Sequence, residues 1–189
     1  MDDRHHRRWI HARRTIVTLS HFVDGLLVEP VADVDPSELG SFLASTSTDE
    51  ALCDKTYLPP RMGPVDALLW ARERFGQAWV LRLDGVPIGW FEIGPVRSSC
   101  GFDLPAETRE WEVWLLPEFR GRRLVRAATA LLGGTLRAAG VSHLVGVTWE
   151  SNVAAVRGME NAGFVRLGRG WWEYGEYTSG WCEVWLLAL

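Results

Sequence analysis

With 189 residues, 47% of them hydrophobic and 23% charged, and a net charge of −4, the chain has the composition of one well-buried globular domain. No apolar run reaches the roughly 18 residues of a membrane span, the basic opening lacks the apolar core of a secretion signal, and the acidic balance argues against general nucleic-acid binding. Cys53, Cys100 and Cys182 are far apart and form no CxxC pair, and the five histidines form no ligand cluster, so neither a disulfide framework nor a metal site is expected, and the usage fits a reduced cytoplasm.

In chain order, residues 1–25 form a basic arm with five arginines between positions 4 and 14, read as a solvated tail or an extension of the first strand. Residues 26–189 read as a single domain. The stretch TIVTLSHFVDGLLVEPV holds the first strand. DVDPSELGSFLAS starts a helix, with Asp33 or Asp35 as N-cap and Pro36 at an early helical position. Residues 45–63 are a loop or broken helix, and GPVDALLWARERF is a second helix closed by Gly76. AWVLRLDGVPIGWFEIG is a hairpin turning at Asp84-Gly85. REWEVWLL is a strand with Glu110, Glu112 and Trp114 on one face and Trp111, Val113 and Leu115 on the other. PEFRGRRLVRAATALL is a loop leading into a helix that Gly140 stops; HLVGVTW is a strand, SNVAAVRGMENAG a short helix, and FVRLGRGWWEYG and GWCEVWLLAL a closing antiparallel pair. This order predicts a mixed, largely antiparallel α/β (α+β) sheet of six to seven strands with about four helices.

The loop at 117–123 carries the first chemical signal. It follows a strand and opens a helix, where unsatisfied amides and the helix dipole favour an anion, and Arg120, Arg122 and Arg123 add charge suited to a diphosphate. A solvated basic turn is the plainer reading of the same residues.

Together with NVAAVRGMENAGF, where Asn152, Ala155, Met159, Glu160, Gly163 and Phe164 fall at pattern positions, PEFRGRRLVRAATALL resembles the GNAT superfamily of acyl-CoA-dependent N-acyltransferases. Within it the likeness is to the branch of the ribosomal-protein N-terminal alanine acetyltransferases, over about residues 26–189. The resemblance implies a sheet splayed at strands 4 and 5 and acetyl-CoA as co-substrate, with no metal. It implies that Arg120, Gly121, Arg122, Arg123, Leu124 and Val125 hold the CoA diphosphate, that Leu115 and Leu116 offer main-chain groups to pantetheine, and that Asn152 contacts the pantetheine arm or braces the loop. Two positions depart from the pattern: Arg123 stands where the family has its second loop glycine, and Val125 replaces the next small residue. At Arg123 the cost depends on the backbone, being about 1 kcal/mol or more at positive φ and negligible at helical dihedrals.

Transfer to an amine needs a base for the ammonium proton, stabilisation of the oxyanion and release of the thiolate. By the resemblance, a carboxylate on the fourth strand is the base: Glu112 first, Glu110 beside it, with Glu92 a further candidate and plain strand residues the alternative. Many family members carry a tyrosine acid where this chain has Met159; Ser151, Tyr174 and Tyr177 are the substitutes within reach of sequence reasoning. Among the eleven tryptophans, Trp114, Trp171 and Trp172 are candidates to line an aromatic acceptor pocket, with core filling the alternative. The expected function is acetyl transfer to a primary amine of a small molecule or peptide N-terminus, by a cytoplasmic protein, possible as a homodimer. Two other readings stay open: a GNAT-fold binding module with a decayed donor site, and a transferase using a carrier-protein- or tRNA-bound acyl donor.

Overall fold

The computed structural model describes residues 24–56, 58–74, 77–97, 100–174 and 178–189, through the backbone alone at 173, 174, 178 and 179. The basic arm therefore lies almost wholly outside the described residues, as does the Gly76 expected to close the second helix. The strands are β1 (Leu26–Pro30), β2 (Ala78–Leu83), β3 (Val86–Gly94), β4 (Thr108–Leu115), β5 (His143–Trp149), β6 (Val165–Tyr174) and β7 (Thr178–Ala188). They form a seven-stranded sheet in the order β1-β2-β3-β4-β5-β7-β6. The sheet is largely antiparallel, with β4 and β5 parallel. Helices are α1 (Pro36–Thr46), the single turn α2 (Glu50–Cys53), α3 (Pro64–Arg72), α4 (Leu124–Ala138) and α5 (Val153–Ala162). The mixed sheet and four longer helices agree with the architecture expected from the sequence. By its internal contacts the chain divides into two compact units, Met1–Glu92 with Glu112–Leu124, and Ile93–Trp111 with Val125–Leu189.

In the first unit, α1 starts where Asp35 accepts from the amides of Ser37 (2.9 Å) and Glu38 (3.0 Å), while Pro36 sits at a position whose amide would have no helical partner. These hydrogen bonds, the Ser37 hydroxyl foremost, hold the Asp35 carboxyl below the usual carboxylate range. Residues 45–63 contain the broken helix expected of them, with Asp49 capping α2. Gly40 lets α1 approach α3 closely, since a Cβ there would stand 2.6 Å from the Pro64 carbonyl oxygen. The β2–β3 hairpin turns at Asp84 (φ 51°) and Gly85 (φ 82°), both left-handed, as the twist of a two-residue hairpin requires. The core joins Leu39, Phe42 and Leu43 of α1 to Ala67 and Ala71 of α3, Val80 of β2, Trp90 of β3 and Trp114 of β4.

Arg82 is one of two charged residues buried among the described residues of this unit, Glu92 being the other. Beside a register shift in the β2–β3 pairing at Leu81 and Arg82, the Arg82 guanidinium reaches α1, and the residue is 8% exposed. It donates to both Glu38 carboxylate oxygens (2.7 Å each), to Glu29 (2.6 Å) and to the Gly85 carbonyl (3.0 Å). The same contact with Arg82 lowers the Glu38 pKa, so the pairing is intact at neutral pH and weakens as acid protonates Glu38 below its unfolded value. Because Glu38 remains partly in water, the full cost of breaking a buried pair does not apply. Arg82→Met is expected to lower stability by about 2 kcal/mol, read as a shift in the urea midpoint at constant slope.

In the second unit, Thr108, Arg109 and Glu110 of β4 pair with His143, Leu144 and Val145 of β5, and the described pairing goes no further. β5 pairs with β7 along its whole length, and β7 with β6. Helix α5 is framed by Asn152, whose side chain accepts from the Ala155 amide (3.3 Å), and by Gly163 at φ 93°. Phe164 then packs on Trp111, ring centroids 4.7 Å apart. Met159 and Trp111 both close on Gly146, where a Cβ would meet the Met159 sulfur at 3.0 Å and the Trp111 ring at 3.3 Å. That crowding accounts for an apolar, buried Met159.

Candidate active site

The expected site residues fall in both units. Glu112, Trp114, Leu115, Leu116 and Arg120–Leu124 belong to the first; Glu110, Val125, Asn152, Trp171, Trp172 and Tyr174 belong to the second.

In the first unit, β4 ends against β3. The Leu116 amide donates to the Ile88 carbonyl (2.9 Å), and Gly89 allows the approach, because a Cβ there would collide with the Trp114 carbonyl oxygen and lie 2.7 Å from a Leu115 methyl. The reading of the sequence did not single out Gly89; its signal is a glycine inside an otherwise apolar strand. A short 3-10 turn at Pro117–Phe119 follows. Arg120 then folds back, its Nε donating to the Leu115 carbonyl at 3.0 Å, so this side chain braces the loop on the strand end. Arg122 lies over the Phe119 ring and donates to the Glu118 carbonyl (3.2 Å). Gly121 (φ 77°) and Arg123 (φ 60°) are both left-handed, and Leu124 begins α4.

The backbone at Arg123 thus has the conformation that favours glycine, although the residue is arginine. No atom stands within 4 Å of a Cβ built on Gly121, so dihedral strain, not space, is what glycine avoids in this loop. Left-handed residues interspersed in a turn before a helix are the backbone habit of anion-binding nests. The Arg123 side chain is exposed at the mouth of α4. Arg123→Gly is expected to raise stability by about 1 kcal/mol, measured by thermal unfolding. Its effect on acetyl-CoA affinity separates two roles: a fall assigns the guanidinium to the donor phosphates, a rise makes it an obstruction.

Glu112 is half-buried on β4, with one carboxylate oxygen shielded from solvent. Trp114, two residues on and on the same face, is 4% exposed. Its ring stacks near Phe42 (5.9 Å) and Trp90 (6.4 Å, planes 8° apart), and its indole N–H finds no acceptor among the described residues. Trp111 and Trp114, on opposite faces of the strand, are both buried. A strand with neighbours on either side and a packed layer on each face shows no alternation in burial. Glu92 accepts from the Trp90 indole (3.1 Å) and faces Arg74 Nε (3.4 Å), while Arg74 lies 4.0 Å above the Trp70 ring. It is held inside the aromatic cluster.

In the second unit, Glu110 is buried and accepts from the Arg97 amide at 2.8 Å, fastening the segment after β3. Asn152 uses its oxygen as the α5 cap. Trp172 is buried against Trp149 (5.5 Å), whereas Trp171 is 47% exposed and meets Trp181 edge-on at 5.7 Å. The side chain of Tyr174 lies outside the described residues, as does Tyr177. No group of three His, Cys, Asp or Glu residues able to hold a metal exists among the described residues, and none of their helices is long and apolar enough to cross a membrane.

The family model described as the acetyltransferase (GNAT) family matches residues 45–164. Among solved structures, the chain resembles yncA, a putative acetyltransferase from Salmonella typhimurium with acetyl-CoA as its cofactor, at 20% identity and a TM-score of 0.61, covering 88% of this chain and 95% of that one. The ribosomal L7/L12 α-N-protein acetyltransferase RimL in complex with coenzyme A is similar at 12% identity and a TM-score of 0.68, over 89% and 96% of the two chains. The microcin C7 self-immunity acetyltransferase MccE, in complex with acetyl-CoA and AMP, is similar at 14% identity and a TM-score of 0.68, over 89% and 94%. These are likenesses of fold. No curated protein matches the chain.

Proposed function

Because the chain belongs to the GNAT acetyltransferase family, we propose that it transfers an acetyl group from acetyl-CoA to a primary amine, carried by a small molecule or a peptide N-terminus. The observation that carries this reading is the loop before α4. It has left-handed backbone at both Gly121 and Arg123, so arginine occupies a turn conformation that glycine takes most readily, directly before the helix amides. In this reading the amides that open α4, from Gly121 to Val125, receive the diphosphate, and Arg123 adds charge. Arg120 acts indirectly, by fixing the loop to the Leu115 carbonyl.

Glu112 takes the proton from the acceptor ammonium, freeing the nitrogen lone pair for attack on the thioester carbon. The C–S bond then breaks, and the CoA thiolate leaves as a group with a pKa near that of a cysteine thiol, which needs no strong acid. This suits a chain in which Met159 is packed into the core at the position of the family tyrosine. The indole N–H of Trp114, inside an aromatic cluster, supports the assignment of that residue to the acceptor side: a buried polar group without an acceptor among the described residues is available to a ligand.

The opposing reading, a binding module with a decayed donor site, draws on the strained Arg123. Isothermal titration with acetyl-CoA tests both. Micromolar binding together with thiol release in the presence of an amine library is the expected result; absence of donor binding would overturn the acetyltransferase reading.

A further inference from the structure

Two cysteines separated widely in sequence are brought together in the second unit. In the β6–β7 register Gly170 is the partner of Cys182. Directly paired residues project to the same face of a sheet, with Cβ atoms about 4.5–5.5 Å apart. Gly170 has no Cβ, and the place where one would stand is taken by the chain after β3: an ideal Cβ there would lie closer than 3.0 Å to the Cys100 Cβ and 2.5 Å from the Cys100 carbonyl oxygen. Cys100 therefore lies on the face of the sheet from which Cys182 projects, with its Cβ close to where one on residue 170 would stand. Two residues further on, the Phe102 ring lies over Gly168, where a Cβ would be 3.2 Å from it, so the segment is laid across β6 at both glycines.

The two thiols differ in surroundings. Cys182 is fully buried, and burial, with Cys100 and Glu150 adding to it, pushes its pKa up to about 12. That Cys100 contributes to this rise is a second sign that the two thiols are near one another. Cys100 is only partly covered and sits in a turn with left-handed backbone (φ 50°) followed by Gly101 (φ 86°). Cys53 belongs to the first unit.

We propose that Cys100 and Cys182 are a peroxide-sensitive dithiol whose oxidation links the segment after β3 to the β6–β7 hairpin. A hydroperoxide is the oxidant. The partly exposed Cys100 sulfur attacks its O–O bond as thiolate, becoming a sulfenic acid and releasing an alcohol, or water when the oxidant is hydrogen peroxide. The Cys182 sulfur then attacks the Cys100 sulfur, the S–S bond forms, and the sulfenic oxygen departs as water with the thiol proton. The two thiols lose two electrons and the peroxide gains them. Bridging requires the Cβ atoms to come to about 3.5–4.5 Å, against the about 4.5–5.5 Å of directly paired strand positions.

The test treats the reduced full-length protein with hydrogen peroxide. The thiol titre should fall from three to one, the intact mass should drop by two hydrogens, peptide mapping should give a Cys100–Cys182 cross-link, and dithiothreitol should restore all three thiols. Cys53→Ser should still lose two thiols. Cys182→Ser should leave Cys100 as a sulfenic acid that dimedone traps, and Cys100→Ser should leave Cys182 as a thiol. A cross-link involving Cys53, further oxidation of Cys100 with Cys182 still titratable in the parent protein, or three thiols surviving peroxide would each overturn the proposal. Because the parent protein alone gives the decisive readout, a variant that folds poorly does not obscure the result.

Discussion

Glu112→Gln is expected to lower turnover by about 10²–10⁴-fold while leaving acetyl-CoA affinity within about twofold of the parent. The substitution preserves size and hydrogen bonding but removes the basic site. Leu115, where β4 ends, is three residues on, a distance of about 10 Å along an extended strand, so the loop proposed to receive the diphosphate is untouched. The loss should shrink as pH rises, because an acceptor amine that is already neutral no longer needs a base. Steady-state kinetics across pH with titration calorimetry on both proteins measures each part. Glu110→Gln serves as the contrast. Its carboxylate holds the Arg97 amide, so it should lose stability before it loses turnover. Turnover of Glu112→Gln within about threefold of the parent would make Glu112 a strand residue and place the base elsewhere.

Trp114→Ala is expected to cost about 3–5 kcal/mol of stability, the range for deleting a large buried aromatic. The ring is part of a continuous aromatic layer from Phe42 through Trp90 to Trp70, and little around it is free to collapse into the space it would vacate. Such a variant cannot separate packing from ligand contact, so Trp114→Phe is the informative companion. It keeps most of the ring and deletes the N–H that lacks an acceptor among the described residues. Its stability should stay within about 1.5 kcal/mol of the parent. If the indole meets the acceptor, KM for the amine should rise while the unfolding midpoint barely moves. An unchanged KM would leave Trp114 as a core residue alone.

Local chemistry was legible in the sequence wherever one residue dictates one geometry. Asp84-Gly85 forces the hairpin turn, Asp35, one of two candidate caps, starts a helix, and Gly163 ends one, each through local backbone demands. The loop before α4 was legible as a segment for the same reason. What stayed hidden depends on residues far away in the chain. Whether Trp114 belongs to core or surface is decided by Phe42 and Trp90, and no strand periodicity encodes that. Arg82 looks like an ordinary strand-end charge until the fold pairs it with Glu38, forty-four positions earlier. Glu110 and Glu112 are alike in type, spacing and face, yet they belong to different compact units, and Glu110 is fastened to Arg97. The dihedral of Arg123 could not be read from its letter either, because arginine accepts helical backbone readily and left-handed backbone only at a cost.

That last feature has an evolutionary side. Every arginine codon becomes a glycine codon by a change of its first base, so relief of the strain at position 123 is never more than one mutational step away. Against a total folding free energy of about 5–15 kcal/mol, a standing cost near 1 kcal/mol is not negligible. A lineage that carries arginine there keeps a fixed positive charge at the opening of α4 and accepts a weaker fold in exchange. Position 123 is thus the place in this loop where the demands of folding and of charge pull in opposite directions, and where a single nucleotide sets the balance between them.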